Sequence, residues 1–141
     1  MATLSADKSR KYHITADDRT GLIPAVAADT IYQGAAVSDN GSGVGQPLST
    51  GEVFVGFANA KADNSAGVAS AIGIDLRVTG EIELAVTGAS STADVSETVY
   101  ATDDDTFTLT SSGASSIGKV SRWITGTTCV VRFEGAAQRS I

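Results

Sequence analysis

The chain has 141 residues, 42% of them hydrophobic, with a formal net charge of −6 and a single cysteine. That length suits one domain with a modest core, and the lone Cys129 excludes both an internal disulfide and a zinc site built on thiolates, leaving it as a small buried hydrophobe. The charge is uneven: residues 1–19 hold four basic and three acidic side chains, residues 20–118 two and twelve, and residues 119–141 four and one, so the three segments carry +1, −10 and +3.

Basic ends on an acidic body can meet an acidic partner or a neighbouring copy. Nucleic acid is not expected as a partner, because no basic stripe is present and the acidic body repels phosphate. No membrane is expected either: no run of about 18 apolar residues occurs. Asp7, Lys8 and Arg10 stand where a signal peptide needs its apolar core, so the chain reads as soluble and made in the cytoplasm.

Residues 1–21 mix charges with small polar groups and read as an extended arm, with residues 22–141 as the body. Lys8, Arg10, Lys11, Asp17, Asp18 and Arg19 make the arm too polar to pack alone. Tyr12 and Ile14, two apart, would share one face of an extended strand laid on a neighbouring subunit. On this reading the arm is a clamp and its removal leaves the body's stability almost unchanged. The contact candidates are Lys8, Arg10, Lys11, Tyr12 and Ile14 in the arm, with Arg132 and Arg139 in the basic carboxyl-terminal segment; salt should weaken attachment through the arginines and Lys11.

From Leu22 to Val37 two short strands are expected, with Pro24 at an edge. Asp39 to Gly45 is a turn cluster in which Asn40-Gly41 suits positive φ; its glycines lack the G-K-[ST] ending of a phosphate loop. Gly51 to Ala60 has apolar groups on both faces, a central-strand pattern that puts Phe54 and Phe57 in the core and leaves part of the Val53–Phe57 face for self-association. Lys61 to Ala71 reads as a loop of small residues.

The strongest pattern is Ile72 to Val86. Ile72, Ile74, Leu76, Val78, Ile82, Leu84 and Val86 alternate with Asp75, Arg77, Thr79, Glu81 and Glu83, which is β structure with one wet face. Unbroken, it would run about 50 Å at about 3.3 Å per residue, against about 37 Å for a compact domain of this size. A three-residue hairpin at Thr79-Gly80-Glu81 keeps the two halves in phase and is preferred over a strand bent at Gly80. Val86-Thr87-Gly88 echoes Val78-Thr79-Gly80 as a matching strand end. Further strands are expected at Thr98–Ala101, Thr106–Thr110, Ile117–Ile124 and Thr128–Glu134, with turns at Asp103-Asp104-Asp105 and Gly126-Thr127. No stretch has sustained helical periodicity, so the fold class is all-β.

Catalytic chemistry finds little support. His13 is the sole histidine and reads as a solvated residue of the arm. The three consecutive aspartates point different ways and lack the calcium-loop pattern. Glu81 and Glu83 share a strand face with Arg77 as a screened surface patch. Catalytic, cofactor and metal residues are therefore all assigned as none. Trp123 and Tyr100 would be the stacking platform of the alternative reading, a carbohydrate-binding or adhesive β module on a virion surface.

Several consecutive segments resemble the head decoration, or capsid cement, proteins of tailed bacteriophages. They are Val99-Tyr100-Ala101, Asp103-Asp104-Asp105 leading into Thr106-Phe107-Thr108-Leu109, Ile117-Gly118-Lys119-Val120, and Val130-Val131-Arg132-Phe133. Upstream, Ile31-Tyr32-Gln33-Gly34-Ala35-Ala36-Val37 and Phe54-Val55-Gly56-Phe57-Ala58, followed by Asp63-Asn64-Ser65-Ala66-Gly67, resemble the same family. The resemblance implies a small antiparallel β-barrel or β-sandwich without catalytic residues or cofactors. It also implies a homotrimer on the outer face of the virion capsid, made in the host bacterial cytoplasm, that bridges neighbouring major capsid subunits at three-fold positions.

Overall fold

The computed structural model describes residues 4–16 and 18–136. Twelve strands are described: β1 (Tyr12–His13), β2 (Arg19–Pro24), β3 (Asp29–Ile31), β4 (Ala36–Asp39), β5 (Gly45–Pro47), β6 (Val53–Ala58), β7 (Ala62–Asn64), β8 (Gly73–Thr87), β9 (Thr98–Ala101), β10 (Phe107–Thr108), β11 (Ser115–Thr125) and β12 (Thr128–Glu134). A 3₁₀ turn at Thr92–Asp94 is capped by Ser91. The protein is all-β.

Five strands close a barrel. β8 pairs with β12, β12 with β11, β11 with β9 and β9 with β10, and β10 returns to β8 in parallel at Phe107↔Val86 and Thr108↔Thr87. Closure leaves the barrel strands without an open edge. Ile82, Leu84, Val86, Val99, Phe107, Ile117, Val131, Phe133 and the buried Cys129 fill it, and Phe54 and Phe57 belong to the same core. The rings of Phe54 and Phe57 lie 6.3 and 5.0 Å from that of Phe133 in edge-on contacts, the favoured aromatic geometry.

β8 carries both the barrel and a second, smaller core. Its first half pairs with β2 and touches β6, and sends Ile74, Leu76 and Val78 into a cluster with Ala25, Ile31, Val37 and Ala58. Its second half faces the barrel. The alternation expected from the sequence holds with two exceptions: the even residues from Ile74 to Val86 are buried and Asp75, Arg77, Glu81 and Glu83 reach the surface, but Thr79, expected wet, is buried and Ile72, expected dry, is 37% exposed.

The hairpin expected at Thr79-Gly80-Glu81 does not form. β12 pairs with β8 straight across this point, at Phe133↔Gly80 and Glu134↔Thr79, which holds the chain extended. Gly80 takes φ +150°, an extended conformation open to glycine alone. The Val-Thr-Gly echo is therefore a strand end only at Gly88, where φ is +96°.

β6 also departs from its pattern. Val37 opposes Gly56 and Ser38 opposes Phe54, so Val55 is an extra residue in a bulge. Gly56, at φ +151°, makes the bulge possible, and a side chain there would meet the Arg77 carbonyl. The bulge turns Phe54 and Phe57 to the same side, where both are buried. Phe54 and Phe57 are thus spent inside the molecule, and of the Val53–Phe57 face expected to serve self-association only Val53, 54% exposed, and part of Val55 remain at the surface. Lys61 to Ala71 is not wholly a loop, since β7 pairs with β3 at Ile31↔Ala62.

The arm is a part of the fold. The expected boundary between residues 21 and 22 falls inside β2, whose pairing with β8 starts at Arg19↔Thr79 and ends at Pro24↔Gly73. β1 pairs with the barrel half of β8 at Tyr12↔Ile82 and His13↔Glu81. Between them the chain passes over Gly80, with Asp18 Oδ1 3.1 Å from where a Cβ would stand. Polar composition does not leave this segment free, because the surface it needs is supplied by its own chain.

Candidate interaction surface

The described residues expected to contact a partner lie in two environments, and a third, apolar one holds none of them. Lys8, Arg10, Lys11 and Tyr12 line a seam with the body. The Lys8 amide donates to the Gln33 carbonyl at 2.9 Å, and the Glu83 amide donates to the Lys11 carbonyl at 2.9 Å. Arg10 anchors the seam: its Nε donates to the Gly34 carbonyl at 2.9 Å and a terminal nitrogen to Asp105 Oδ1 at 2.7 Å. Its guanidinium lies 5.6 Å from the Phe107 ring centroid. Lys8 reaches the same carboxylate at 3.1 Å, yet its side chain is 48% exposed against 6% for Arg10. A charge as sequestered as that of Arg10 needs its partners, so Arg10 is not available to an outside one.

Tyr12 is half-buried against the barrel, its ring 6.3 Å from Phe133 and under the Arg77 guanidinium at 4.1 Å. Burial raises its pKa, with Arg77 and Arg10 opposing, so the phenol stays protonated. Ile14 does not share that face. β1 ends at His13, and Ile14 is 97% exposed.

The second environment is the wet face of the barrel. Antiparallel register places His13 and Arg132 on opposite sides of Glu81, and Lys119 beyond Arg132. Directly opposed residues share a face, so one charged row runs across β1, β8, β12 and β11. Lys11 Nζ lies 3.4 Å from Glu83 Oε2 and His13 Nε2 2.9 Å from the same oxygen. Ser121 Oγ donates to Glu81 at 2.9 Å. His13 is accordingly a strand residue bonded to Glu83 and not a solvated tail side chain. Hydrogen bonding from His13, then the Lys11 contact, holds the Glu83 carboxyl below its ordinary pKa, which is the reverse of what a general acid needs. The last candidate, Arg139, lies outside the described residues, as does Asp17.

The third environment is apolar. Leu22, Pro24 and Ile72 line a shallow groove of about 280 Å³ beside β2. Leu22 is 76% exposed, and Val68, on the loop leading to Ile72, is 74% exposed.

No protein-family model matches the chain, and no curated protein does.

The aspartates of the β9–β10 turn point apart, as expected. Asp103 accepts from the Asp105 amide and Thr106 Oγ1, Asp104 is buried and accepts from the Leu4 amide, and Asp105 holds Lys8 and Arg10. Among the described residues no group of three His, Cys, Asp or Glu side chains is placed to hold a metal, and no helix is long and apolar enough to cross a membrane. Trp123 is folded onto its own turn, its Nε1 donating to the Gly126 carbonyl at 2.9 Å, and packs partly against the barrel. Asp105, Glu83 and Gly34 are the seam residues that sequence reasoning missed. The signal for Glu83 was present: Lys11 and His13, two apart, match Glu81 and Glu83, two apart, as opposed charged pairs on neighbouring strands.

Proposed function

We propose that the protein is a structural virion protein that binds the outside of an assembled bacteriophage capsid as a homotrimer at three-fold positions. There it stabilises the shell by bridging neighbouring major capsid subunits. The observation that carries this reading is where the family-like segments fall. Val99-Tyr100-Ala101 lies in β9, Ile117-Gly118-Lys119-Val120 in β11 and Val130-Val131-Arg132-Phe133 in β12, with Phe107-Thr108 as β10. They are consecutive walls of one closed barrel, so the likeness follows the part of the chain that determines the fold.

Two surfaces support an assembly role. The groove at Leu22, Pro24 and Ile72 is an apolar face suited to self-association, Phe54 and Phe57 being buried. The row with Lys11, Arg132 and Lys119, beside the projecting Ile14, offers cations and an apolar anchor to acidic capsid surface. Many such weak contacts repeated on a symmetric shell add up by multivalency. Co-sedimentation with undecorated shells of the parent phage tests the reading. Saturable binding in a ratio of three copies per three-fold site, weakening as salt rises, is expected; absence of binding at every salt concentration refutes it.

A further inference from the structure

Where the arm crosses the body it walls an open cleft of about 160 Å³. A cavity of about 150 Å³ is known to admit a benzene-sized molecule, so this one has room for a small ligand. Lys8, Arg10 and Arg77 line it together with Tyr12, Gln33 and Asn59, and no lining residue is acidic. On a chain of net charge −6 this is a local reversal of sign.

The three cations are not equivalent. Lys8 and Arg10 share Asp105. Arg77 forms no salt bridge among the described residues; its Nε donates to Asn59 Oδ1 at 3.3 Å and its plane lies over the Tyr12 ring. Asn59 is oriented in turn by donating to Asp75 at 3.3 Å. An arginine fixed this way keeps its terminal N–H groups for a planar, two-point contact with an oxyanion. A second cation faces the cleft from the arm: Lys8 lines it with a side chain that is 48% exposed.

We propose that the cleft between the arm and the body binds a small oxyanion, a phosphate or a carboxylate, gripped by the Arg77 guanidinium with the Lys8 ammonium as a further donor. Because Lys8 belongs to the arm and Arg77 to β8, a bound anion ties the arm to the body. Ligand concentration then sets how firmly the arm is held. This inference stands apart from capsid binding and needs no shell for its test.

The full-length protein is titrated with inorganic phosphate and, separately, with acetate, at ionic strength held constant with chloride. Tm and the Arg77 Nε–H resonance are followed. A saturating rise in Tm with either anion, accompanied by a shift of that resonance, is expected, and which anion saturates identifies the ligand class. Arg77→Gln should weaken the apparent affinity about tenfold or more, the scale of one lost charge-assisted contact. Lys8→Gln, at a half-exposed position, should weaken it several-fold, and Lys119→Gln should leave it unchanged. No saturable effect with either anion overturns the proposal, as does an effect that survives Lys8→Gln at full strength. The latter decides the matter even if Arg77→Gln fails to fold.

Discussion

Lys8 and Arg10 place two cations on one carboxylate, and replacing each by alanine separates an arm that is built into the fold from one that merely touches it. Arg10 loses charge-assisted hydrogen bonds to Asp105 at 2.7 Å and Gly34 at 2.9 Å, worth about 1.5–3 kcal/mol each. It also loses a cation–π contact at 5.6 Å, worth about 0.5–1 kcal/mol. About 2 kcal/mol of side-chain entropy is regained, so Arg10→Ala should destabilise by about 3 kcal/mol. At about 2–4 °C per kcal/mol for a domain of this size, Tm falls by about 6–12 °C. Lys8 is half-exposed, and exposed pairs are worth about 0.2–1 kcal/mol, so Lys8→Ala should move Tm by no more than about 2–4 °C. Both variants are read by thermal and denaturant unfolding of the isolated protein. Equal effects of the two, or an Arg10→Ala variant within about 0.5 kcal/mol of the parent, would show that the arm does not rest on the body and refute the reasoning.

Other expectations follow from single positions. Gly80→Ala forces a side chain into φ +150° beside Asp18 and 3.5 Å from Phe133; a loss of about 1–3 kcal/mol should appear in denaturant midpoints, and an unchanged midpoint would mean that the strand does not pass through Gly80 as described. The Glu83 carboxyl is held below its ordinary value of 4.5, so the folded state favours the charged form: its contribution is complete above pH 4.5 and disappears as pH falls through the lowered folded value. Stability measured between pH 6 and 3 should therefore drop less steeply in Glu83→Gln than in the parent, and identical slopes would contradict the His13 and Lys11 contacts. If the proposed trimer forms through the groove, Leu22→Asp should leave the protein monomeric in light scattering with the folded protomer intact; a trimer that persists would move the self-association surface elsewhere.

Much of the barrel could be read from the chain because its signals are local. The alternation through β8 marks its dry apolar residues and misses the buried Thr79, β9 and β12 start and stop where the sequence indicates, and Gly126-Thr127 turns β11 into β12. What escaped depends on pairings far apart in sequence. Gly80 looks like a turn because a glycine ends an apolar run, yet β12, more than forty-five residues later, pairs on both sides of it. The same blindness affected the arm: Lys8 and Arg10 read as contacts for a partner until Asp105 of the same chain is brought beneath them. Likewise Tyr12 and Ile14 were grouped by period two, but β1 is only two residues long and the period ends with it. The Val55–Gly56 bulge hid in an apolar run whose period it breaks.

Electron microscopy of the native virion tests the capsid assignment most directly. Density matching a trimer of this barrel on the outer face of the capsid at three-fold positions, with the Lys11, Arg132 and Lys119 row turned toward the major capsid subunits, is the predicted result. A shell whose three-fold positions are bare, with the protein found on the tail or missing from the particle, would contradict the account.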